Sequence, residues 1–269
     1  MIFLQYLVPQ HLLSNLMHRF ARIEIVWLKN LFLRWFVKKY GVNLSEATRD
    51  RIEDYDHIND FFTRSLKPSA RTLSEVEITS PVDGVVSQAG EIRIGEILQA
   101  KGRHYSVQQL LADDCSGQFN EGQFATIYLS PKDYHRIHMP FDGRLISMTY
   151  IPGDLFSVNQ STADSVDNLF ARNERLVCYF ETKFGEVAFI LVGAIMVGSM
   201  EVVWEGKITP PYTKSIKKFD YSSKDIRLVK GEEMGRFNMG STVIIILPKG
   251  SPELKLSAKK DLKMGSPLL

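Results

Sequence analysis

The sequence predicts an α+β protein: a helical, membrane-associating N-terminal region over residues 1–65, then a mainly antiparallel β body over residues 66–269. Periodicity carries the first half of that reading. Apolar residues between positions 9 and 62 recur three and four apart, which puts them on one side of a helix. Punctuation carries the second half. From Pro81 onward, short β-branched and aromatic runs are separated by Gly, Pro, Asn and Asp, the residues that turn an extended chain. Charge is the third observation. Residues 1–40 hold Arg19, Arg22, Lys29, Arg34, Lys38 and Lys39 against one acid, Glu24, although the whole chain is only +2. A basic, aromatic-rich end on a net acidic body points to an anionic surface as partner for that end, and away from a nucleic-acid binder.

Residues 1–8 are apolar but short. No basic residue precedes them and no small-residue cleavage site follows, so a signal peptide is not expected. Pro9 opens a helix whose Leu12, Leu13, Leu16, Met17 and Phe20 share one side, with Gln10, His11, Ser14, Asn15, His18 and Arg22 mostly on the other. Residues 23–40 are apolar around most of the wheel but are interrupted by Lys29, Arg34 and Lys38. No run approaches the roughly 18–20 residues needed to span a bilayer. Trp27 and Trp35 among basic residues suit a helix lying in the membrane interface. A third helix is expected from a cap at Asn43 or Ser45 to about Phe62, with Ile52, Tyr55, Ile58 and Phe62 as its buried stripe. A linker then runs to about Ser80.

Strands are expected at Glu91–Ile94, Phe124–Leu129, Arg144–Ile151, Val177–Thr182, Glu186–Val192, Met200–Trp204 and Thr242–Leu247, with a short helix at Ser106–Leu111. Residues 154–173 have no clear period and read as a long loop. Cys115 and Cys178 lie far apart without a CxxC or His-rich neighbourhood, so no zinc site is expected and a reducing compartment fits.

Three stretches offer chemistry. In Phe237-Asn-Met-Gly240-Ser241-Thr242, a flexible Gly precedes two hydroxyl residues that lead into an apolar strand. That places a hydroxyl at the mouth of a buried strand, beside a peptide that can bend. Ser130-Pro-Lys-Asp-Tyr134-His135-Arg136-Ile137-His138-Met139-Pro140 follows a strand and holds two histidines, the proton carriers for neutral pH. A metal half-site at this pair lacks a third ligand nearby. Asp83, in Thr79-Ser80-Pro81-Val82-Asp83-Gly84, is a turn former or an orienting acid. Together Asp83, His138 and Ser241 are the parts of an Asp–His–Ser triad, which geometry and not chain order defines.

Taken with further segments, these stretches resemble the phosphatidylserine decarboxylase proenzymes, pyruvoyl-dependent and of bacterial type. The matching segments are Phe61–Pro68, Ser80–Gly84, Gln99-Ala-Lys-Gly102 with Tyr105-Ser106, Tyr134–Pro140, Val192-Gly-Ala194 with Val197-Gly-Ser199, and Lys230–Phe237 running into Gly240-Ser241-Thr242. They span most of the chain in order. Met239 stands where bacterial members often have Leu, a swap of similar volume.

The resemblance implies decarboxylation of phosphatidylserine to phosphatidylethanolamine on the cytoplasmic face of the cell membrane, by a peripheral enzyme. It also implies a cofactor made in place. Ser241 Oγ, with His138 as base and Asp83 orienting it, attacks the Gly240 carbonyl. Elimination then releases a large chain, 1–240, with a new carboxylate, and the dehydroalanine left at the head of the small chain, 241–269, hydrolyses to a pyruvoyl group and ammonia. His135 is the expected proton donor in decarboxylation. The two chains are expected to stay together as a heterodimer that dimerises further. A membrane-peripheral serine hydrolase using Asp83, His138 and Ser241 without self-cleavage is the alternative, but Ser241 enters a strand where a nucleophile elbow enters a helix. A non-catalytic, membrane-anchored β-rich module is the third reading.

Overall fold

The computed structural model describes residues 2–100, 102–196, 199–238 and 241–269. Gly240, one half of the expected cleavage site, and Lys101 lie outside the described residues. Seven helices occur among them: α1 (Ile2–Leu7), α2 (Gln10–Phe20), α3 (Val26–Tyr40), α4 (Ile58–Phe62), α5 (Val107–Leu111), α6 (Gln160–Ala163) and α7 (Leu169–Arg172). The strands are β1 (Gly84–Glu91), β2 (Glu96–Ala100), β3 (Arg103–Ser106), β4 (Gln123–Tyr128), β5 (Arg136–His138), β6 (Gly143–Ile151), β7 (Arg175–Thr182), β8 (Gly185–Val192), β9 (Met200–Val202), β10 (Gly206–Lys207), β11 (Lys217–Asp220), β12 (Arg227–Leu228), β13 (Glu233–Phe237), β14 (Thr242–Leu247) and β15 (Asp261–Leu262).

Nine of these strands form one sheet in the order β11-β6-β7-β8-β14-β4-β1-β15, with β12 beside β6. A smaller sheet, β10-β9-β13-β5, packs on one face of it, and β2-β3 make a hairpin. All the strand pairings are antiparallel. The alternation of β14 explains the layering. Val243, Ile245 and Leu247 face the small sheet across the larger core, whereas Ile244 and Ile246 face a second core under β2-β3 and α5–α7. Both faces of β14 are therefore buried, which is why its sequence is a continuous β-branched run.

The α+β architecture and most elements match the sequence reading, and three local expectations do not. The third helix is broken. Residues 43–51 are irregular, Ile52–Asp54 form a single 3-10 turn, and only α4 is regular helix. Polar side chains compete with the helix there. Arg49 forks onto Asp60 at 2.5 and 2.8 Å, and the Asp60 amide donates to His57 Nδ1 as an α4 cap. The expected strand at Glu91–Ile94 is the end of β1 and a turn, with Ile94 and Gly95 at positive φ and Ile94 almost fully exposed. Residues 154–173 carry α6, capped by Asn159, and α7, both packed into the second core, instead of one open loop.

The N-terminal helices dock with their polar residues inward. Gln5 Oε1 accepts from the Ser157 amide, Gln10 Oε1 from the Leu155 amide at 2.6 Å, and Ser14 Oγ from the Met196 amide. On α2, Gln10 and Ser14 are buried while Leu12 and Leu16 are more than half exposed. Trp27, Leu31 and Trp35 of α3 are also exposed. Lys29 is not part of that outer face. It is buried and donates to the Tyr55 carbonyl, so one of the six basic residues has a structural job. Among the described residues, no helix is long and apolar enough to cross a membrane.

Candidate active site

The first functional side chains lie where β14, β4, β8 and β7 share one end. Thr242 pairs with Tyr128 and Val192, and Val192 pairs in turn with Arg175. One step beyond that row stand Leu129, Ser241, Gly193 and Glu174. The Leu129 amide donates to the Ser241 carbonyl at 2.8 Å, and the Gly193 amide donates to the Glu174 carbonyl at 2.8 Å. Alternation puts Ser241 on the same face as Val243, inside the sandwich. Ser241 is fully buried and its Oγ has no hydrogen-bond partner. Buried hydroxyls are nearly always bonded, so this one marks a site.

The small sheet carries both histidines, but Ile137 of β5 faces the larger core, so alternation turns the half-buried His138 to the other face of the strand. β5 lies along β13, with His138 opposite Glu233 and Arg136 opposite Arg236; the Phe237 amide donates to the His135 carbonyl. His135 thus sits next to the chain that leads into the cleavage segment, and His138 lies farther back. Each ring has its tautomer set by a carbonyl, which can only accept. His135 Nδ1–H donates to the Asp133 carbonyl at 2.7 Å, leaving a bare lone pair on Nε2, which has no partner. His138 Nδ1–H donates to the Gly231 carbonyl at 2.8 Å, and its Nε2 accepts from the Tyr134 hydroxyl at 2.9 Å. Burial, with Arg64 nearby, pushes His135 down to about 3, so it is neutral at pH 7. Burial also lowers His138.

Asp83 is buried, but its oxygens are committed away from the histidines. Arg71 forks onto it, the Met264 amide donates to Oδ1 at 2.8 Å, and Lys263 Nζ lies 3.3 Å from Oδ2. Asp83 and His138 lie on neighbouring segments, since the His138 amide donates to the Pro81 carbonyl. No hydrogen bond joins Asp83 to His138 or His138 to Ser241 in this state. Against the cost of burial, the bonds from Arg71 and the Met264 amide hold the Asp83 carboxyl below its ordinary range. Such a group contributes stability that is fully present above its unfolded value, about 3.9, and lost as pH falls through the lower folded value. Asp83→Asn should therefore unfold at lower denaturant at pH 7, by about 1.5–3 kcal/mol, because buried Arg71 loses one of its two carboxylates and keeps only Glu46. Its stability should also vary less with pH below about 4 than that of the parent chain. Denaturant melts at both pH values check this.

Sequence reasoning did not find several groups at this end. Asn238 Nδ2 donates to Ser199 Oγ at 2.8 Å, Asn59 Nδ2 donates to Asn238 Oδ1, and Ser199 donates to the Thr209 carbonyl. This network ties α4 and β9 to the residues just before the cleavage segment. Glu174 was also missed. Its signal was a polar triplet, Asn173-Glu174-Arg175, at the head of an apolar strand, the same pattern that drew attention to Gly240-Ser241-Thr242. Among the described residues, no group of three or more His, Cys, Asp and Glu is placed to hold a metal.

An apolar cavity of about 350 Å³ opens next to this end. Phe32 and Trp35 of α3, Phe62 of α4, Leu129 after β4, and Ala194 and Met196 after β8 line it. Leu129 bonds the Ser241 backbone and Ala194 adjoins Gly193, so the cavity abuts the Ser241 row.

Comparison with known proteins identifies the family of the chain. A family model described as phosphatidylserine decarboxylase matches residues 58–269, and a second, described as PSD, matches residues 1–41. A phosphatidylserine decarboxylase proenzyme of Methylobacillus flagellatus is 53% identical over 248 residues, 91% of this chain and 89% of the relative. Proteins of the same name from Shewanella amazonensis and Alcanivorax borkumensis are 52% and 51% identical, over 92% and 98% of this chain and 89% and 91% of theirs. The protein is an enzyme of the decarboxylase class. It belongs to the phosphatidylserine decarboxylase family.

Proposed function

We propose that this chain converts phosphatidylserine to phosphatidylethanolamine with a pyruvoyl group that it makes from Ser241 by cutting its own Gly240–Ser241 peptide. The carrying observation is the buried Ser241 Oγ without a partner at the mouth of β14, with the buried, bare His135 Nε2 on the segment bonded to Phe237 just before it. The proenzyme names of the relatives support the same reading.

The residues present fit the group. The Leu129 amide holds the residue 241 carbonyl, and Gly193 beside it leaves room on the interior face. Bound there, the group supplies a ketone that takes up the substrate amine and accepts the electrons released with CO2. The chain supplies the rest. Ser241 Oγ adds to the Gly240 carbonyl carbon once a base takes its proton, and the C–N bond gives way to an ester. His138 is the base in this proposal. The Tyr134 hydroxyl must release its Nε2 first, because that lone pair is occupied in the uncleaved state. His135 relays the proton needed after CO2 is lost: its bare Nε2 takes one from water and passes it on, since the ring's own proton is held on Nδ1 by the Asp133 carbonyl. Asp83 acts by fixing the turn that carries the Pro81 carbonyl against the His138 amide. After cleavage the small chain stays in place, since β14 is hydrogen-bonded on both sides.

The helices supply the approach to a lipid. α2 docks through polar residues and turns Leu12 and Leu16 outward, the reverse of an ordinary surface helix. Phe3, Leu7, Trp27, Leu31 and Trp35 extend the same apolar face, with Trp35 also at the cavity. Such a face with cations around it suits the anionic cytoplasmic leaflet, lying in the plane of the interface. Each large side chain transferred into lipid contributes about 1.5–3 kcal/mol. Replacing Trp27 and Leu31 together by Ser should weaken binding to phosphatidylglycerol vesicles by at least about tenfold, with the chain still cleaved. Sedimentation with the vesicles measures it, and unchanged binding removes α3 from the membrane contact.

Intact-mass measurement under denaturing conditions tests the core of the proposal. Two chains separated between residues 240 and 241, the small one blocked at its N-terminus, are expected. A single intact chain with full activity overturns self-cleavage and leaves a hydrolase-type use of Ser241.

A further inference from the structure

Glu174 is a buried acid that the roles above leave unused. It is fully buried at the head of β7. The Tyr150 hydroxyl donates to its Oε2 at 3.0 Å and the Thr209 hydroxyl also bonds the carboxylate, while Oε1 lacks a partner at hydrogen-bonding distance. Among the described residues, no cation pairs with it. A buried carboxylate without a cation is costly and ordinarily becomes neutral or acquires a partner. Burial pushes Glu174 up to about 7.

The direction of Oε1 is informative. Glu174 and Ser241 flank Gly193, so they stand two strand spacings apart, about 10 Å between Cα atoms. Both face the sandwich interior, because their alternation partners Leu176 and Val243 do. A Cβ built on Gly193 would lie 3.5 Å from Glu174 Oε1 and 3.4 Å from Leu155 Cδ2. The free oxygen therefore leans over the glycine that separates it from Ser241. A Cβ at 193 would make ordinary van der Waals contact with that oxygen, so the oxygen lies directly over the glycine.

We infer that Glu174 Oε1 receives the ammonium of the substrate headgroup, holding it over Gly193 at residue 241. This rests on the decarboxylase reading and adds to it the recognition of the amine. The step balances simply. The ammonium gives one proton to the carboxylate; the products are a neutral amine, whose lone pair is free to react at residue 241, and a neutral carboxylic acid. Both charges vanish together, which suits a site closed to water. Tyr150 keeps Oε2 engaged throughout, so Oε1 is the oxygen that exchanges the proton.

The test separates amine recognition from cleavage and from turnover. Ser241→Ala in the full-length chain supplies an intact, non-reacting binder, titrated calorimetrically with glycerophosphoserine and with glycerophosphoglycerol, which lacks the amine. Preference for the amine ligand is expected. Adding Glu174→Gln should weaken glycerophosphoserine binding about tenfold to a hundredfold, the size of a lost charge-assisted hydrogen bond, and leave the other ligand unchanged. Glu174→Asp should retain part of the preference. In the chain with Ser241 intact, Glu174→Gln should still split between residues 240 and 241 and should raise KM. Equal weakening of both ligands, no amine preference in the Ser241→Ala chain, or loss of splitting in Glu174→Gln overturns the inference. Failure of the parent chain to split or decarboxylate, with amine-selective binding intact, overturns the decarboxylase reading and spares this one.

Discussion

Ser241→Ala leaves the chain in one piece and without decarboxylase activity. The loss should be of the size seen when a nucleophile is removed, about 10⁴–10⁶ in rate, and one substitution should abolish both steps, because the same residue supplies the nucleophilic Oγ and the Cα that becomes the ketone carbon. Folding should be nearly unaffected. Oγ has no hydrogen bond to lose, and alanine relieves the cost of burying a hydroxyl without a partner. A thermal melt no lower than that of the parent, with one band of full-length mass, is the expected pair of results. A two-chain product from Ser241→Ala would place the cleavage elsewhere and remove Ser241 from the mechanism.

His135→Ala should separate the two reactions. Cleavage should proceed, and decarboxylation should fall by about 10²–10⁴, the usual contribution of a positioned proton carrier. His138→Ala should do the reverse and stay uncleaved. Mass spectrometry and release of CO2 from phosphatidylserine read both outcomes. The geometry makes this a demanding test, because His135 carries the bare lone pair and stands beside Phe237, whereas His138 has Tyr134 on its Nε2. An uncleaved His135→Ala chain would transfer the role of base to His135. Acid should not silence the enzyme through His135. Its value near 3 keeps it neutral from pH 8 down to 5, so a fall in rate over that range belongs to another group.

The parts of the fold that sequence reading found are those with short-range causes. β14 was found at its observed bounds because five apolar residues after Thr242 are β-branched or leucine and end at Pro248. α2 was legible from Pro9 and its period, and α5 from Ser106, whose Oγ accepts from the Gln109 amide as the cap. The misread segments were decided by distant partners. Asp60 and Arg49 broke the third helix through a side-chain pairing eleven residues apart, and α6 and α7 are held by Gln99, which bonds the Ala163 and Val166 carbonyls and the Leu169 amide. Which face of α2 would be buried was also hidden. Periodicity shows that a helix has two faces, and it does not say that loops at 153–157 and 194–196 will offer backbone groups to the polar one.

The site divides in the same way. By itself the sequence singled out the candidate reacting groups: a serine after a glycine at a strand mouth, two histidines three apart, and a turn aspartate. These are local patterns, and the family resemblance gave them an order along the chain. Only the tertiary structure decided their partners. It turned Asp83 onto Arg71, put Tyr134 on His138, left His135 Nε2 and Ser241 Oγ bare, and carried Glu174 across a glycine to the same interior. The reason is physical. A side chain's hydrogen bonds depend on which strands become neighbours and in what register, and one residue of register exchanges the two faces of every strand in the row.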